Sequence, residues 1–529
     1  MNSFDTDVLI VGAGPTGLTL ANELARHDIS FKIIDSAITT SQTTKALGIM
    51  PRTLELYEKT GIAEEMVEKG LDTPAFNVMN KDHKLIYFDF NKQCNSPFPF
   101  VLMLPQNKTE EILYNYLMKQ NYDVEWETKL LEIEQDANGT TVIVQKGIEK
   151  TANIRTKYIV GCDGAHSTVR HQLGLNFEGV TIQQNFSLVD LKVEWELPYN
   201  ESYAFVDRGK FIAFFPMKDG KHRILMTSDI GAKEHSEVSI EEIEQMIHAV
   251  GPTNTSVSNV LWTSRFLVNQ RMVKQARLGR VFLAGDAAHI HSPVGAQGMN
   301  TGIQDAYNLS WKLALVLKNY SPDTLLDTYI TEREPVWGNL LSGTERFTRI
   351  LLQKSRLVNQ VRKTIAPVIT SSRFINQKFI DALSQTGIHY RHSPIVNGEE
   401  YGSKVFNKGD WLQPGDRVPD EIIGNGQRLH HLLTTTKHVL FVFTQDYETF
   451  KKIKENVESY PIQVFQIGIE RDCAIQQNYL CDSKGQIYSK YGFASKEGML
   501  VIRPDGYIGF KCVELNINLL KKHLQIIFN

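Results

Sequence analysis

A glycine-rich turn near the start of the chain restricts the fold more than any other feature. The apolar run Val8–Val11 leads into Gly12-Ala-Gly-Pro-Thr-Gly17, a helix-like segment follows, and a second apolar run ends on Asp35. This order of strand, turn, helix and strand predicts a βαβ unit. Gly12 permits the tight turn, Gly14 lets backbone approach a pyrophosphate, and Gly17 allows close helix packing. Asp35 is placed to accept ribose hydroxyls, so the pattern indicates a dinucleotide site, with FAD and NAD both open.

The composition narrows the class of protein. The 529 residues carry 57 Lys and Arg against 60 Asp and Glu, a formal net charge of −3, which argues against nucleic-acid or anionic-membrane binding. No charge-free apolar run reaches the length of a membrane span, and the first strand leaves no room for a signal peptide. The five cysteines form no C-x-x-C pair, which argues against a disulfide scaffold. We therefore expect a cytoplasmic location.

Changes of pattern along the chain predict several units. Strand and helix patterns alternate around the glycine-rich turn, whereas two stretches are aromatic and alternating, as in an antiparallel sheet. A segment rich in Gly, Pro, Asn and Ser, from Arg391 to Pro419, marks a boundary. Residues 323–386 have a helical pattern, with Pro335 and Pro367 as expected interruptions. We predict an α/β fold with a Rossmann-like nucleotide domain (1–74, 104–176 and 278–322), an inserted β-rich substrate lobe (75–103 and 177–277), a helical connector (323–395) and a C-terminal domain (396–529).

A second strand-and-turn pattern ends in Gly285-Asp286 and is followed by Pro293-Val-Gly-Ala-Gln-Gly-Met-Asn300. Gly285 permits close contact with a ligand chain, and Asp286 can accept hydrogen bonds from polyol hydroxyls. A helix that begins near Gly298 would direct free N–H groups and a positive dipole end at the same ligand. Such a helix stabilises negative charge on a reduced flavin.

Together these segments resemble the class A flavoprotein monooxygenases, the aromatic hydroxylase family. Gly12–Gly17 resembles their AMP-binding fingerprint, Cys162–Arg170 their second motif, and Gly285–Asn300 their third motif. The similarity continues through Asn308–Ala314 and Tyr329–Arg333 and covers nearly the whole chain. The resemblance implies FAD as cofactor and NADPH or NADH as a transient reductant. Because no second glycine fingerprint occurs, we expect no dedicated NAD(P)H domain.

The resemblance also implies a set of cofactor-binding residues, namely Gly12, Gly14, Pro15, Thr16, Gly17, Asp35, Lys45, Gln106, Asp163, Gly285, Asp286, Pro293, Gly298, Met299 and Asn300. Lys45 stands where many members have arginine, and an ammonium cannot reproduce the fork of a guanidinium. Ala296 stands where glycine is usual. Asp163 and Arg170 also have a plainer interpretation, as a strand-end and helix-surface pair.

The reaction implied by the resemblance is the insertion of one atom of O₂ into an aromatic or polycyclic substrate through a flavin C4a-hydroperoxide. The cofactor carries this chemistry, so no catalytic side chain is expected, and Pro293 and Gly295 should border the reaction site. Baeyer–Villiger oxidation or N-hydroxylation, including antibiotic inactivation, is the alternative. A catalytically silent FAD-binding protein is a further alternative.

We predict that the β-rich lobe contacts the substrate through Phe205, Phe214, Arg223 and Met226. The phenylalanines have an equally good interpretation as sheet core. His289 and His291 are expected to be structural, because two histidines without nearby carboxylates make no metal site.

The last 120 or so residues resemble the thioredoxin-like C-terminal domain of the phenol-hydroxylase and polyketide-hydroxylase branch. The resemblance rests on Pro414–Asp420 and Arg503–Tyr507. Cys473 and Cys481 form no C-x-x-C pair, so this domain should be redox-inert and should serve packing or oligomer contacts. We expect a monomer or a homodimer.

Overall fold

The computed structural model describes residues 3–42, 46–147, 150–228, 237–292, 295–351, 353, 372–398, 412–423, 426–469, 478–493 and 497–529. Its helices are α1 (Pro15–Arg26), α2 (Pro51–Glu58), α3 (Ile62–Lys69), α4 (Phe90–Gln93), α5 (Gln106–Lys119), α6 (Thr168–Gln172), α7 (Ile240–Val250), α8 (Gly298–Leu317), α9 (Asp327–Leu351), α10 (Arg373–Leu383), α11 (Tyr447–Val457), α12 (Gln486–Lys490) and α13 (Ile517–Ile527). Among these described helices, none is long and apolar enough to span a bilayer.

Sheet I has the strand order β16-β17-β10-β1-β2, with β9 joined to β10 and β8 joined to β9. Its strands are β1 (Thr6–Val11), β2 (Phe31–Ile34), β8 (Thr128–Gln135), β9 (Thr140–Lys146), β10 (Lys150–Gly161), β16 (Arg277–Leu278) and β17 (Val281–Leu283). The run β2-β1-β10-β17 is parallel. Such strands are covered on both faces, which explains the continuous apolar run from Val8 to Val11.

Sheet II has the order β18-β15-β11-β14-β13-β12-β5-β6. Its strands are β5 (Ala75–Asn80), β6 (His83–Asp89), β11 (Glu178–Glu194), β12 (Ser202–Asp207), β13 (Lys210–Met217), β14 (Lys221–Thr227), β15 (Ser256–Met272) and β18 (His289–Ile290). Alternate side chains point to opposite faces. Helix α7 packs on one face through Ile243, Ile247 and Val250. The other face is directed at the glycine- and aspartate-containing turns.

Sheet III forms the C-terminal part of the fold, in the order β19-β24-β23-β20-β21-β22. Its strands are β19 (Asn397–Gly398), β20 (His438–Phe443), β21 (Ile462–Gly468), β22 (Tyr479–Cys481), β23 (Gly498–Ile502) and β24 (Ile508–Cys512). Helices α11 and α13 pack on one face together with Trp311 of α8. Other side chains of α8, such as Leu309 and Leu313, belong to the core around sheet I. Helix α8 is therefore shared between sheets I and III.

Two details differ from the sequence-based prediction. Sheet IV, formed by β3 (Gly48–Ile49), β7 (Val101–Met103) and β4 (Leu71–Thr73), takes up the last residues of the stretch assigned to the substrate lobe. The expected interruption at Pro335 is wrong, because α9 continues through it. Proline removes one intrahelical hydrogen bond, and the buried contacts of Arg333 and Trp337 hold the helix together there. Pro367 lies outside the described residues.

Candidate active site

The three motifs lie side by side at the carboxyl ends of neighbouring parallel strands. Gly12 follows β1, Cys162 follows β10, and Gly285 follows β17 within two residues. Parallel pairing of β1 with β10 and of β10 with β17 brings these ends to one edge of sheet I. Ligands of open α/β sheets bind at this edge. The βαβ unit predicted from the sequence therefore positions the site.

The glycines of the first motif fit a backbone that must pass closely between neighbours. Gly12 has a φ of +105°, and a Cβ added there would lie 2.5 Å from the carbonyl oxygen of Cys162. A Cβ at Gly17 would lie 1.9 Å from the carbonyl oxygen of Gly12. At Gly14, by contrast, an added Cβ meets nothing within 4 Å. The absence of a side chain at Gly14 therefore leaves open space at the start of α1.

That open space adjoins free donors at the N-terminus of α1. Gly14 is the N-cap residue and provides no side-chain hydrogen bond, and Pro15 occupies the first turn. Unpaired N–H groups at a helix start, together with its positive dipole end, favour a phosphate group. The residues present thus fit the pyrophosphate of a dinucleotide.

Thr16 packs the first motif against the third. Its Oγ1 lies 2.6 Å from the position of a Cβ at Gly285 and 2.4 Å from that of a Cβ at Gly302. Gly285 has a φ of +61°, a backbone conformation that side chains with a Cβ adopt rarely. Any larger residue at Gly285 or Gly302 would push α1 away from α8.

Asp35 lies at the end of β2, beside the glycine-rich turn. One carboxylate oxygen accepts a hydrogen bond from the backbone nitrogen of Ala13 at 2.6 Å, and the other accepts one from Ala37 at 2.8 Å. Asp35 therefore ties β2 to the turn while its side chain stays partly exposed to a ligand.

Gln106 begins α5 and braces the segment before β3. Its Oε1 accepts a hydrogen bond from the nitrogen of Ala46 at 3.2 Å, and its own backbone nitrogen donates to the oxygen of Ala46 at 3.0 Å. Its Nε2 donates to Glu110 at 2.9 Å. Lys45, the neighbour of Ala46, lies outside the described residues.

The second motif is held by Asp163 and Arg170. Asp163 accepts hydrogen bonds from Ser167 Oγ at 2.5 Å and from the nitrogen of Val169 at 3.1 Å, and burial raises the pKa of its carboxyl. Arg170 donates to the carbonyl oxygen of Ala287 at 3.0 Å. Since Arg170 is only 3% exposed, its interpretation as a helix-surface residue is wrong. It links the second motif to the third.

Two aspartates, Asp286 and Asp305, lie at the third motif in different surroundings. Asp286 is exposed at the turn after β17. Asp305, fully buried in α8, accepts hydrogen bonds from Gly285 N at 3.0 Å, His289 Nε2 at 2.7 Å, Arg333 Nε at 2.7 Å and Trp337 Nε1 at 3.0 Å. Burial alone would raise the pKa of this carboxyl, but Arg333 and His289 hold it below its usual value.

The start of α8 is fixed from the opposite side by Asn300. Its Oδ1 accepts from the nitrogen of Met50 at 2.8 Å, and its Nδ2 donates to the oxygens of Gly48 at 2.9 Å and Ala296 at 3.1 Å. Asn300 thus joins the third motif to sheet IV. Gly298 and Met299 are partly exposed in the same turn.

The turn before α8 has a left-handed backbone. Gly295 has a φ of +118° and Ala296 a φ of +52°. Alanine takes up strain of about 1–2 kcal/mol in this conformation, which explains why glycine is usual there. Pro293 lies outside the described residues.

The residues predicted to contact the substrate, Phe205, Phe214 and Met226, lie together on one face of sheet II. All three side chains are fully buried between sheet II and α7, so their role is that of sheet core. Arg223 lies on the opposite face and donates two 2.7 Å hydrogen bonds to Asp190. Its NH1 also lies 3.5 Å from the carbonyl oxygen of Ala46.

An apolar cluster that the sequence reasoning missed covers this second face. Phe76, Ile86, Phe215 and Met217 of sheet II pack with Leu47, Met50, Met103 and Ala296, and with Phe379 and Leu383 of α10. The alternation of β13 could have revealed Phe215 and Met217 as partners on one face, but not which face is directed at the motifs.

Comparison with known proteins decides the family. Residues 5–344 match the family model described as FAD binding domain. The chain is 32% identical to 6-methylpretetramide 4-monooxygenase of Streptomyces rimosus, over 98% of this chain and 93% of that protein. The chain belongs to the class A FAD-dependent aromatic hydroxylases. It is also 31% identical to pentachlorophenol 4-monooxygenase of Sphingobium chlorophenolicum, over 96% of this chain and 94% of that protein.

A solved structure supports the same family assignment for this chain. The anhydrotetracycline hydroxylase from Streptomyces rimosus superposes with a TM-score of 0.77 at 26% identity, over 99% of each chain. The predicted mixed α/β fold, the FAD cofactor and the monooxygenase activity are therefore confirmed. Among the described residues, no group of three or more His, Cys, Asp or Glu side chains is arranged to hold a metal ion.

Proposed function

We propose that this monooxygenase hydroxylates a phenolic substrate with several fused or linked rings, using NAD(P)H and O₂. The observation that carries the proposal is the aromatic lining between sheet II and the third motif. Phe76, Phe215 and Phe379 are only partly buried there, beside Ala296. Phe379 also stacks on Phe88 with ring centroids 4.1 Å apart. Partly exposed rings favour a flat apolar ligand, because such a ligand buries them and stacks on them.

FAD, when bound, accepts a hydride from NAD(P)H and activates O₂. The side chains of the site hold and shield it. The N-terminus of α8 presents a positive dipole end to the negative charge of a reduced flavin. Asp286 would accept hydrogen bonds from the ribityl hydroxyls, and Asp35 would accept them from the ribose. The apolar cluster excludes water from the reacting atoms, which limits the release of hydrogen peroxide without hydroxylation of the substrate.

The ion pair of Arg223 and Asp190 borders the same space. Both side chains are buried, and the guanidinium also lies over the ring of Trp262 at 5.6 Å. Because Asp190 occupies two of its donors, we assign Arg223 first to holding sheet II near Ala46. A contact between Arg223 and a phenolic oxygen stays a prediction.

The names of two relatives support a ring-containing substrate. One relative is named for a pretetramide and the other for a chlorinated phenol. Both names describe oxygenation of an aromatic ring. We propose the same reaction class for this chain.

The remaining assignments concern the surroundings of the site. We propose that sheet II with α7 forms the substrate lobe, and that sheet III with α11, α12 and α13 forms a thioredoxin-like domain. We also propose a cytoplasmic monomer or homodimer. A supply of NAD(P)H and the thiols of Cys94, Cys162 and Cys481, which form no disulfide, support that location.

The proposal is tested by screening phenols and polycyclic aromatic compounds for stimulated NAD(P)H oxidation by the purified protein. Products of the best stimulator are then analysed by mass spectrometry and NMR after reaction under ¹⁸O₂. We expect one labelled oxygen on an aromatic carbon. A ring-expanded ester or an N-oxide would contradict the proposal, as would a bound flavin that NAD(P)H never reduces with any of these compounds present.

A further inference from the structure

Two adjacent residues of α9, Glu332 and Arg333, face two different parts of the protein. Arg333 donates to Asp305 at 2.7 Å and to the carbonyl oxygen of Thr301 at 3.1 Å, both in α8. Glu332 accepts hydrogen bonds at 2.6 and 2.8 Å from Arg503, the residue that follows β23 of sheet III. One turn of α9 therefore joins the flavin-facing end of α8 to the C-terminal sheet.

The half of this network around Asp305 holds the third motif. Gly285 N, His289 Nε2, Arg333 Nε and Trp337 Nε1 together supply four donors to one buried carboxylate. A carboxylate offers about four acceptor sites, so Asp305 is saturated. Its position fixes the backbone of Gly285 directly, and any movement of Arg333 would disturb it.

The side chains around Glu332 are as deeply buried as those around Asp305, and the carboxylate of Glu332 likewise accepts several hydrogen bonds. Besides Arg503, Glu332 accepts from Asn308 at 2.6 Å, Lys312 at 2.8 Å and Ser393 at 2.6 Å. Arg503, Lys312 and Glu332 all have side chains with no solvent exposure. Burial lowers the pKa of Lys312 to about 8 even though Glu332 raises it.

The turn after β23 adds a second attachment to α8. Asp505 accepts hydrogen bonds from Arg503 at 2.5 Å and from Trp311 Nε1 at 3.2 Å. The two halves also meet at Tyr390. Its hydroxyl accepts from Arg333 at 2.9 Å, and the guanidinium of Arg503 lies 5.1 Å from its ring centroid.

We propose that Arg503 is a positioning residue for FAD, acting from the C-terminal sheet through Glu332, Arg333 and α8. Removing Arg503 leaves Glu332 with Lys312 as its one ion-pair partner among the described residues, so the buried charge of Glu332 is less well compensated. A buried charge that loses a partner must move or draw in water. Glu332 is covalently next to the arginine that sets Asp305. The C-terminal sheet thereby controls how firmly the start of α8 is held at the flavin.

Two measurable properties follow, and both rest on FAD binding alone. A displaced α8 binds FAD more weakly. It also stabilises the reduced, negatively charged flavin less, so the midpoint potential moves to a more negative value. Because neither property needs an aromatic substrate, a wrong substrate assignment leaves both readouts intact and is distinguished from failure of this inference.

The test uses the full chain, with apoprotein titrated with FAD and followed by quenching of flavin fluorescence. We expect Arg503→Met to raise the FAD dissociation constant about tenfold or more, equivalent to a loss of about 1.4 kcal/mol, and to make the midpoint potential more negative. Arg503→Lys keeps the charge but loses the two-pronged contact, so it should fall between.

Arg428→Met is the matched control. Arg428 also joins the C-terminal part to the rest of the chain, through Glu58 of α2 at 2.9 Å, and its ion pairs in the described part of the chain are with Glu58 and Asp420 rather than with α8 or α9. We expect its FAD affinity and potential to match those of the unaltered protein. Equal losses in Arg428→Met and Arg503→Met would overturn the proposal, because they would show general loosening.

Tyr390→Phe covers the case in which Arg503→Met fails to fold. It removes only the hydroxyl that accepts from Arg333. We expect about threefold weaker FAD binding, which is less than the direct loss of one hydrogen bond to a charged group would cause, because the hydroxyl acts on FAD only through Arg333. Tyr390→Phe and any Arg503 variant that folds could instead keep the FAD affinity and midpoint potential of the unaltered protein and show only a lower unfolding temperature. That result would contradict the proposal, because the network would then stabilise the fold without positioning FAD.

Discussion

Phe214 and Phe215 are neighbours in β13, yet their rings lie on opposite faces of sheet II. Phe214 is fully buried beneath α7. Phe215 packs in the partly open apolar cluster beside Ala296 and Phe379. A single step along the strand thus separates a ring that stabilises the lobe from a ring that faces the proposed substrate.

This separation predicts two different mutant phenotypes. Phe215→Ala should raise the KM for the aromatic substrate and release more hydrogen peroxide per NAD(P)H, because water reaches the reaction site. Phe214→Ala should instead lower the free energy of unfolding by about 3–5 kcal/mol with KM little changed. Steady-state kinetics, peroxide assays and urea unfolding measure these effects. A raised KM in Phe214→Ala without loss of stability would place the substrate under α7.

Gly14 and Gly17 predict a second pair of phenotypes. Gly14 has a φ of −74° and free space around an added Cβ, so Gly14→Ala should leave the stability of the apoprotein unchanged. The new methyl group would occupy the pyrophosphate position, and FAD affinity should fall about tenfold or more. Gly17→Ala should prevent folding, because its Cβ would lie 1.9 Å from a backbone oxygen. Stoichiometric FAD in purified Gly14→Ala would contradict this arrangement.

Asp286 predicts a loss of cofactor without a loss of fold. Its side chain is exposed at the turn after β17, so the apoprotein of Asp286→Ala should still fold, and its urea unfolding is compared with that of the unaltered apoprotein. Loss of a charged acceptor for the ribityl chain should weaken FAD binding by about 1.5–3 kcal/mol. Asp286→Asn keeps one acceptor oxygen and should lose less. FAD titration of the two apoproteins decides the point.

Two buried histidines in the C-terminal part of the fold lead us to expect that the free energy of unfolding falls at acid pH. Burial lowers the pKa of His523 to about 3, and burial lowers the pKa of His438 well below its usual value. Both are neutral in the folded protein but become protonated in the unfolded chain below about pH 6.5. Stability should therefore be full above that pH and should fall by about 1.4 kcal/mol per pH unit for each histidine as pH drops toward 3.

The substitution His523→Phe tests this assignment, because His523 already stacks on Phe510. The variant should lose less stability than the unaltered protein between pH 6.5 and pH 4.5. His248→Phe, at an exposed position of α7, should leave the pH dependence as it is. Urea unfolding at several pH values makes the comparison. Parallel curves for His523→Phe and the unaltered protein would contradict the prediction.

Local features of the site could be predicted from the sequence. The βαβ unit and the start of α8 near Gly298 both follow from short-range patterns. Gly12 and Gly17 were identified for the steric reasons that the structure shows. These features depend on residues close together in the chain.

Features that depend on distant contacts could not be predicted. Both faces of β13 are apolar, so the alternation of Phe214 and Phe215 does not reveal which face meets α7. Glu332 and Arg503 are 171 residues apart, and no periodicity relates them. The predicted interruption of the helix at Pro335 was wrong because buried contacts of its neighbours override the local preference of proline against a helix.

The network around Glu332 has a consequence for synthesis of the protein on the ribosome. Residues that hold the third motif include Arg503, which is made 171 residues after Glu332. Until then Glu332 and Lys312 lack a buried partner from sheet III, and the nascent chain cannot complete the surroundings of α8. Contacts so distant in sequence form slowly, and unfinished chains expose surface that favours aggregation. Capture of the flavin should therefore follow the synthesis of sheet III, and chains truncated before Arg503 should accumulate without bound flavin.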